Sequence, residues 1–362
     1  MKFASLRSCR STRLAALLLI AITCCATAGA SIKKVATTVP ANGDVNPYGV
    51  AVVPATMGSL VRGNILVSNF NNGTNLQGTG TTIVQISPNG SMSLFAQIDA
   101  NNLPSPCPGG IGLTTALVAL QTGWVIVGSL PTTDGTAATA QAGCLLVLDS
   151  NGNVAETFYG SLINGPWDMT ALDLGSNVQL FVTNVLNGTV AAGGKQVRQG
   201  TVLRLTLEAS KKSMPSLQSM TVIGSGFPER TDPAALVIGP TGVALSRDGS
   251  LLYVADSLTN RIAVIPFPIF RGDSAGTGVT LFKGLPLNDP LGITVAPNGN
   301  ILSVNGNNGL LVTISPFGHQ LSKVFLDKSG SPPGAGALFG LVVLDDKLFF
   351  VDDAENDLKV LE

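Results

Sequence analysis

Across 362 residues the chain carries 12% charged side chains against 45% hydrophobic ones, with 42 glycines, 21 prolines and a formal net charge of −1 at pH 7. Four of the 21 basic residues and none of the 22 acidic ones lie in the first thirty positions, which leaves the rest of the chain at −5. That balance excludes a basic face suited to nucleic acid, and the glycine, proline and low charge fit many short strands and tight turns around a large core.

Residues 1–30 read as an export signal. Lys2, Arg7, Arg10 and Arg13 give a basic start, Leu14 to Thr23 an apolar run of about ten residues, and Ala26-Thr27-Ala28 or Ala28-Gly29-Ala30 a small-residue cleavage site. A membrane span needs about twenty apolar residues, and no later stretch reaches that length. A periplasmic or secreted location is expected, with residues 31–362 forming one domain. Cysteine usage agrees: Cys9, Cys24 and Cys25 fall in the signal, leaving Cys107 and Cys144, which are expected to form a disulfide, with two separate buried thiols as the alternative.

Ile32 to Thr38, IKKVATT, reads as a strand with no neighbour in sequence to pair with. Beyond it a unit of strands repeats six times. Aligned on one glycine, the copies hold Gly49 (NPYGVAVV), Gly112 (GGIGLTTALV), Asp168 in glycine's place (GPWDMTAL), Gly242 (GPTGVALS), Gly292 (DPLGITVA) and Gly340 (ALFGLVVL). Second strands follow as NILVSN, WVIVGS, QLFVTN, LLYVAD, ILSVNG and LFFVDD, and third strands as TTIVQIS, GCLLVLD, GTVLRLTL, RIAVIPF, LLVTIS and LKVL. Outer strands SLFAQI, VAETFY, SMTVIG, GVTLF and LSKVFL complete the first five copies. The sharpest copy is Gly239 to Ile265, where the turn Arg247-Asp248-Gly249 and the turn Asp256 to Asn260 separate three strands.

The pattern P-x-G-[VI]-x-[VL]…LYVAD-x-x-N-x-RI resembles the NHL repeat, a four-stranded propeller blade. Six copies then imply an all-β fold, a six-bladed β-propeller of four-stranded antiparallel blades. The sixth copy ends without an outer strand. Ile32 to Thr38 is expected to supply it, so that an N-terminal strand closes the ring and removes two sheet edges.

The loops between second and third strands are long in the first three blades (residues 69–80, 130–142 and 185–199) and short in the last three. Their composition, rich in Asn, Gly, Thr and Gln, suits hydrogen bonding to a polar ligand, with Asn71, Asn72, Asn75, Gln77, Asn187 and Gln196 as candidate binding residues. Asn69, Asn184, Asn305, Asp256 and Asp352 recur at the ends of second strands, where each is expected to cap its own turn.

Catalytic chemistry is sparse. The one histidine, His319, falls in a turn on the face opposite the long loops, so no histidine metal cluster and no His-activated nucleophile is available. The chain is also distantly similar to gluconolactonase- and paraoxonase-like six-bladed propellers. That resemblance implies Ca²⁺ at the tunnel mouth, for which Asn46, Asp168 and Asp289, at the starts of inner strands, are the candidate ligands. Their neighbours Tyr48, Trp167, Leu291 and Phe339 are bulky or apolar, and three oxygen donors are few for an ion that takes six to eight. The expectation is a monomeric exported propeller that binds a polar ligand or protein partner, with no cofactor beyond Ca²⁺ as the one candidate. The alternative is a metal-dependent lactonase-like hydrolase.

Overall fold

In the computed structural model, which describes residues 31–362, the repeats fold as six antiparallel sheets set around a central channel. The expected export signal lies outside the described residues. After β1 (Ile32–Thr37), blade one is β2 (Val45–Val52), β3 (Ile65–Asn71), β4 (Thr82–Ile86) and β5 (Met92–Gln97). Blade two is β6 (Leu113–Ala119), β7 (Val125–Ser129), β8 (Cys144–Leu148) and β9 (Val154–Phe158). Blade three holds five strands: β10 (Gly165–Asp173), β11 (Asn177–Val185), β12 (Val197–Glu208), β13 (Ser216–Asp232) and β14 (Leu236–Ile238). Blade four is β15 (Pro240–Leu245), β16 (Leu251–Asp256), β17 (Arg261–Pro266) and β18 (Val279–Lys283). Blade five is β19 (Pro290–Val295), β20 (Ile301–Asn305), β21 (Leu310–Ile314) and β22 (Gln320–Phe325), and blade six is β23 (Leu338–Leu344), β24 (Lys347–Asp352) and β25 (Asp357–Leu361).

Strands in the middle of the blades are apolar without alternation because a neighbouring blade covers each face. Every residue of β3, β4, β7 and β8 is buried. The outer strand β22 is exposed along its whole length and carries Lys323, a charge that blunts an open edge.

Inner strands approach one another so closely that glycine is required between them. A Cβ on Gly242 would collide with the carbonyl oxygen of Leu291, one on Gly292 with that of Phe339, and one on Gly340 with that of Tyr48. Those contacts run from blade four to five, five to six and six to one. Blade two departs from the expected alignment. Gly112 precedes β6, and the pairing of Leu117 with Val127 puts Ala116 where Gly49 stands in blade one, because β6 carries a wider bulge between Leu113 and Leu117.

Closure is circular. The strand β1 pairs antiparallel with β25, from Ile32 opposite Leu361 to Thr37 opposite Asp357. Lys34 reaches Asp357 at 2.7 Å, and Thr38 Oγ1 donates to the carbonyl of Asn356 at 2.8 Å.

Contrary to the expectation from the repeat, none of the recurring polar side chains at the ends of second strands bonds the backbone of its own turn. Three of them reach back to the connector that enters their blade: Asn69 Nδ2 donates to Thr38 O, Asn184 Nδ2 to Leu162 O and Asn305 Nδ2 to Pro286 O. Asp256 and Asp352 instead meet cations of the following strand, Arg261 at 2.8 Å and Lys359 at 2.7 Å. The side chain is long enough to find a partner across the blade, so the backbone is left to the 3₁₀ turn Ser257–Thr259 or its equivalents.

Cys107, in the connector entering blade two, and Cys144, at the start of β8, form a disulfide with Cα atoms 5.3 Å apart. Closing a loop of 37 residues restricts the unfolded chain, and replacing both cysteines by alanine should cost about 4 kcal/mol, read as a lower denaturation midpoint. Deleting residues 31–38 strips the outer strand from blade six. The truncated chain should melt several degrees lower and self-associate in sizing chromatography, because β25 becomes an open edge. Unchanged melting and elution would show that closure carries no stability.

Candidate functional site

The channel is blocked part of the way along by side chains from the inner strands. Tyr48 of β2 stacks on Phe339 of β23 with ring centroids 3.9 Å apart and on Phe70 of β3 at 4.4 Å, and Trp167 of β10 lies tilted at 6.3 Å. Leu291 joins this layer, and all five residues are buried. Rings of this size exclude water from the axis.

On the loop face a hairpin covers the layer. The outer strand of blade three, expected to stop near Gly224, continues to Asp232, turns at Pro233, and returns as β14 with Arg230 opposite Ile238 and Asp232 opposite Leu236. Leu236 and Val237 are fully buried against the central cluster. Only about 10 Å³ of free space remains beneath the hairpin, among Tyr48, Phe70, Trp167 and Leu236. Sequence reasoning missed this element. Its signal was the apolar run Ala234 to Ile238 directly after Pro233, inside a copy longer than its neighbours by more than a strand.

Between the hairpin and the bare half of the loop face lies a cleft of about 390 Å³. Arg230, Asp232, Ser257, Asn260, Asn288, Asp289 and Asn307 supply its polar groups, and Ile238, Leu291 and Phe339 its apolar floor. Arg230 and Asp232 pair at 2.9 Å. The Asp289 backbone sits at φ 58°, held there by its N–H donating to Asn260 Oδ1 at 2.6 Å, while its own Oδ1 is buried without a hydrogen-bond partner. Burial, then the charge of Asp232, push its carboxyl up to about 6, opposed by Ser257 and Arg230.

The structure divides the three expected calcium ligands. Asn46, at φ 60° in blade one, and Asp289 share the loop face, and each has an orphaned buried oxygen. Asp168 instead faces a chamber on the other side of the aromatic layer, where its oxygens accept N–H bonds from Met169 at 2.8 Å and Val243 at 2.9 Å. Among the described residues no three His, Cys, Asp or Glu side chains are grouped to hold an ion. The residues present do not fit calcium, which needs several converging oxygens.

The expected binding amides are largely engaged in shaping their own loops. Asn71 Nδ2 donates to Asn75 Oδ1, and Asn72 Oδ1 accepts from Thr74 and from the Leu76 N–H. Gln77 Nε2 reaches the carbonyl of Pro233 on the hairpin at 3.2 Å. Asn187 accepts from Asn164 and donates to Asn184 O. Gln196 is exposed. The long loop of blade one thus braces the hairpin, and the Asn187 bonds stay within blade three and the connector that enters it.

No protein-family model matches the chain, and no curated protein matches it. Solved structures do share its fold. A gluconolactonase from Xanthomonas campestris is 13% identical, with 92% of this chain and 89% of that chain aligned and a TM-score of 0.56. The calcium-binding protein regucalcin from Agrobacterium tumefaciens is 12% identical over 90% of this chain and 92% of that chain, with a TM-score of 0.55. A luciferin-regenerating enzyme is 13% identical over 92% and 95%, also at 0.55.

Half-buried and buried acids lie on this side of the aromatic layer. Burial, then the charge of Asp352, raises Asp353 to about 7, and burial followed by Asp353's charge raises the Tyr48 hydroxyl, against the opposing amide of Asn46. Glu229, under the hairpin, is fully buried. The N–H groups of Asn187 and Leu186 approach its carboxyl without reaching hydrogen-bond geometry, and burial lifts it to about 8. Unfolded, such groups ionise near pH 4, so the fold gives up stability as pH rises from there through the folded values. Melting temperature should therefore fall between pH 5 and pH 8, and Glu229→Gln, neutral at every pH, should flatten that slope and raise the melting temperature at pH 8. An identical slope in wild type and variant would remove Glu229 from the account.

Proposed function

We propose that the protein is a small-molecule propeller acting from the loop-face cleft, with hydrolase chemistry of the lactonase-like kind. The observation that carries this reading is Asp289, a carboxyl poised at about 6 with one buried, unpartnered oxygen, in a cleft that also holds Arg230. A base that ionises near neutrality is suited to take a proton from water. Structures of the same fold named as a gluconolactonase and a luciferin-regenerating enzyme add support for small-molecule chemistry.

On this reading a water attacks the lactone carbonyl carbon while Asp289 accepts its proton. The Arg230 guanidinium faces the oxygen that gains negative charge. The ring C–O bond then breaks, the released alkoxide takes the proton back from Asp289, and a hydroxy acid leaves. Ser257, Asn288 and Asn307 offer hydrogen bonds to hydroxyl groups of the substrate. No step runs through calcium, since the donor set does not fit it. Export, to the periplasm or the medium, belongs to the same proposal and is supported by the Cys107–Cys144 disulfide.

The division of Asn46 and Asp289 from Asp168 favours a second reading, in which the same cleft holds a polar ligand or protein partner without turning it over. A panel of γ- and δ-lactones separates the two. Hydrolysis is expected with chelator present, with kcat/KM rising as pH climbs through about 6, and Asp289→Asn should lower it by roughly 10²-fold or more. Binding of the panel by folded protein with no turnover would establish the second reading. Turnover that requires added Ca²⁺ would overturn the metal-free step.

A further inference from the structure

Beyond the aromatic layer, towards the face opposite the long loops, the channel is a chamber of about 290 Å³. Second halves of the inner strands form its wall, which is mostly aliphatic and includes Val50, Leu117, Val243, Ile293 and Leu341. Among the described residues no lysine, arginine or histidine lines it, and Asp168 and Asp173 are its titratable side chains.

Asp168, 8% exposed, stands where four other inner strands have Gly49, Gly242, Gly292 and Gly340, so packing of the blades does not require a carboxyl there. A carboxylate offers about four lone-pair directions, and the Met169 and Val243 N–H groups use two. Thr115, on the same wall and 4% exposed, has a hydroxyl without a partner. The chamber thus combines apolar walls with a buried carboxyl that has open lone pairs and no cation beside it, and an unsatisfied hydroxyl. A native fold retains such groups at a cost unless something completes them.

We propose that this chamber is a second ligand site, distinct from the loop-face cleft, which takes a small primary alkylammonium with its head on Asp168 and its aliphatic stem along the strand walls. A cation balances the Asp168 charge through a charge-assisted hydrogen bond, and the remaining N–H groups reach donor-starved oxygens such as that of Thr115. A neutral alcohol leaves the charge uncompensated, and a carboxylate is repelled by it. The stem buries methylene groups at about 0.8 kcal/mol each, so affinity rises with chain length until the chamber is full.

Titration calorimetry of the full chain with n-butylammonium and n-hexylammonium chlorides, n-hexanol and sodium hexanoate tests the proposal. Hexylammonium should bind most tightly, with hexanol and hexanoate at least tenfold weaker. Asp168→Asn should weaken the amine at least tenfold. Ala171→Phe, which narrows the chamber at a partly exposed wall position, should abolish amine binding, and it carries the test if Asp168→Asn does not fold. Absence of amine binding, equal binding of hexanol, or amine affinity unchanged in both variants would overturn the proposal. Lactone turnover does not enter any of these readouts, so the result is independent of the function assigned to the cleft.

Discussion

The narrow approach of the inner strands sets most of what this molecule can do. Where Gly242, Gly292 and Gly340 let a neighbouring backbone touch, the channel is only as wide as a few side chains. Any large residue pointing inward must then interleave with its counterparts, and Tyr48, Phe339, Phe70 and Trp167 do so as a stacked layer. Burial of rings this large supplies a strong hydrophobic term at the one place where all six blades converge. The same layer decides that the protein has two compartments and no through-channel.

Asp168 is the one charged residue at the position where four inner strands have glycine and blade two has Ala116. Its carboxyl bridges to the Val243 N–H of the next blade, a bond that the glycine blades cannot make. Burial lifts it to about 7 against the two backbone donors, so part of the desolvation cost is met by hydrogen bonding and part is left standing. Asp289 on the loop face lacks that support: its backbone is fixed by Asn260, while its Oδ1 faces no donor. Two acids that both stand near strand starts, but three positions apart in the repeat, therefore end up with different geometry, on opposite sides of an apolar wall.

The six repeats and the closing strand were legible because they rest on local pattern. Apolar second strands bounded by Asp-Gly or Asn-Gly turns, and an orphan strand at Ile32 to Thr38 facing a blade that lacked one, leave a single consistent arrangement. Blade two was misaligned at Gly112 because a bulge adds residues without changing composition. The partners of the loop amides were not legible, for a different reason. Composition shows that Asn71, Asn72 and Asn187 can form hydrogen bonds, but not with what, and short polar side chains find their own backbone first. The β13–β14 hairpin was hidden because a strand that folds back over a channel reads in sequence like any connector between blades.

That hairpin is what turns a plain propeller face into a cleft. Blades four to six have short loops and would present a flat surface by themselves. The hairpin, braced by Gln77 at Pro233 and anchored by Leu236 and Val237 in the central cluster, raises a wall beside them and brings Arg230 and Asp232 over Asp289. A charged pair on a hairpin anchored by buried Leu236 and Val237 keeps its position with little loss of side-chain entropy, whereas the same residues on a free loop would not. The long loop of blade one bears on the cleft through this support, since removing it would release the wall before it touched any group in the cleft.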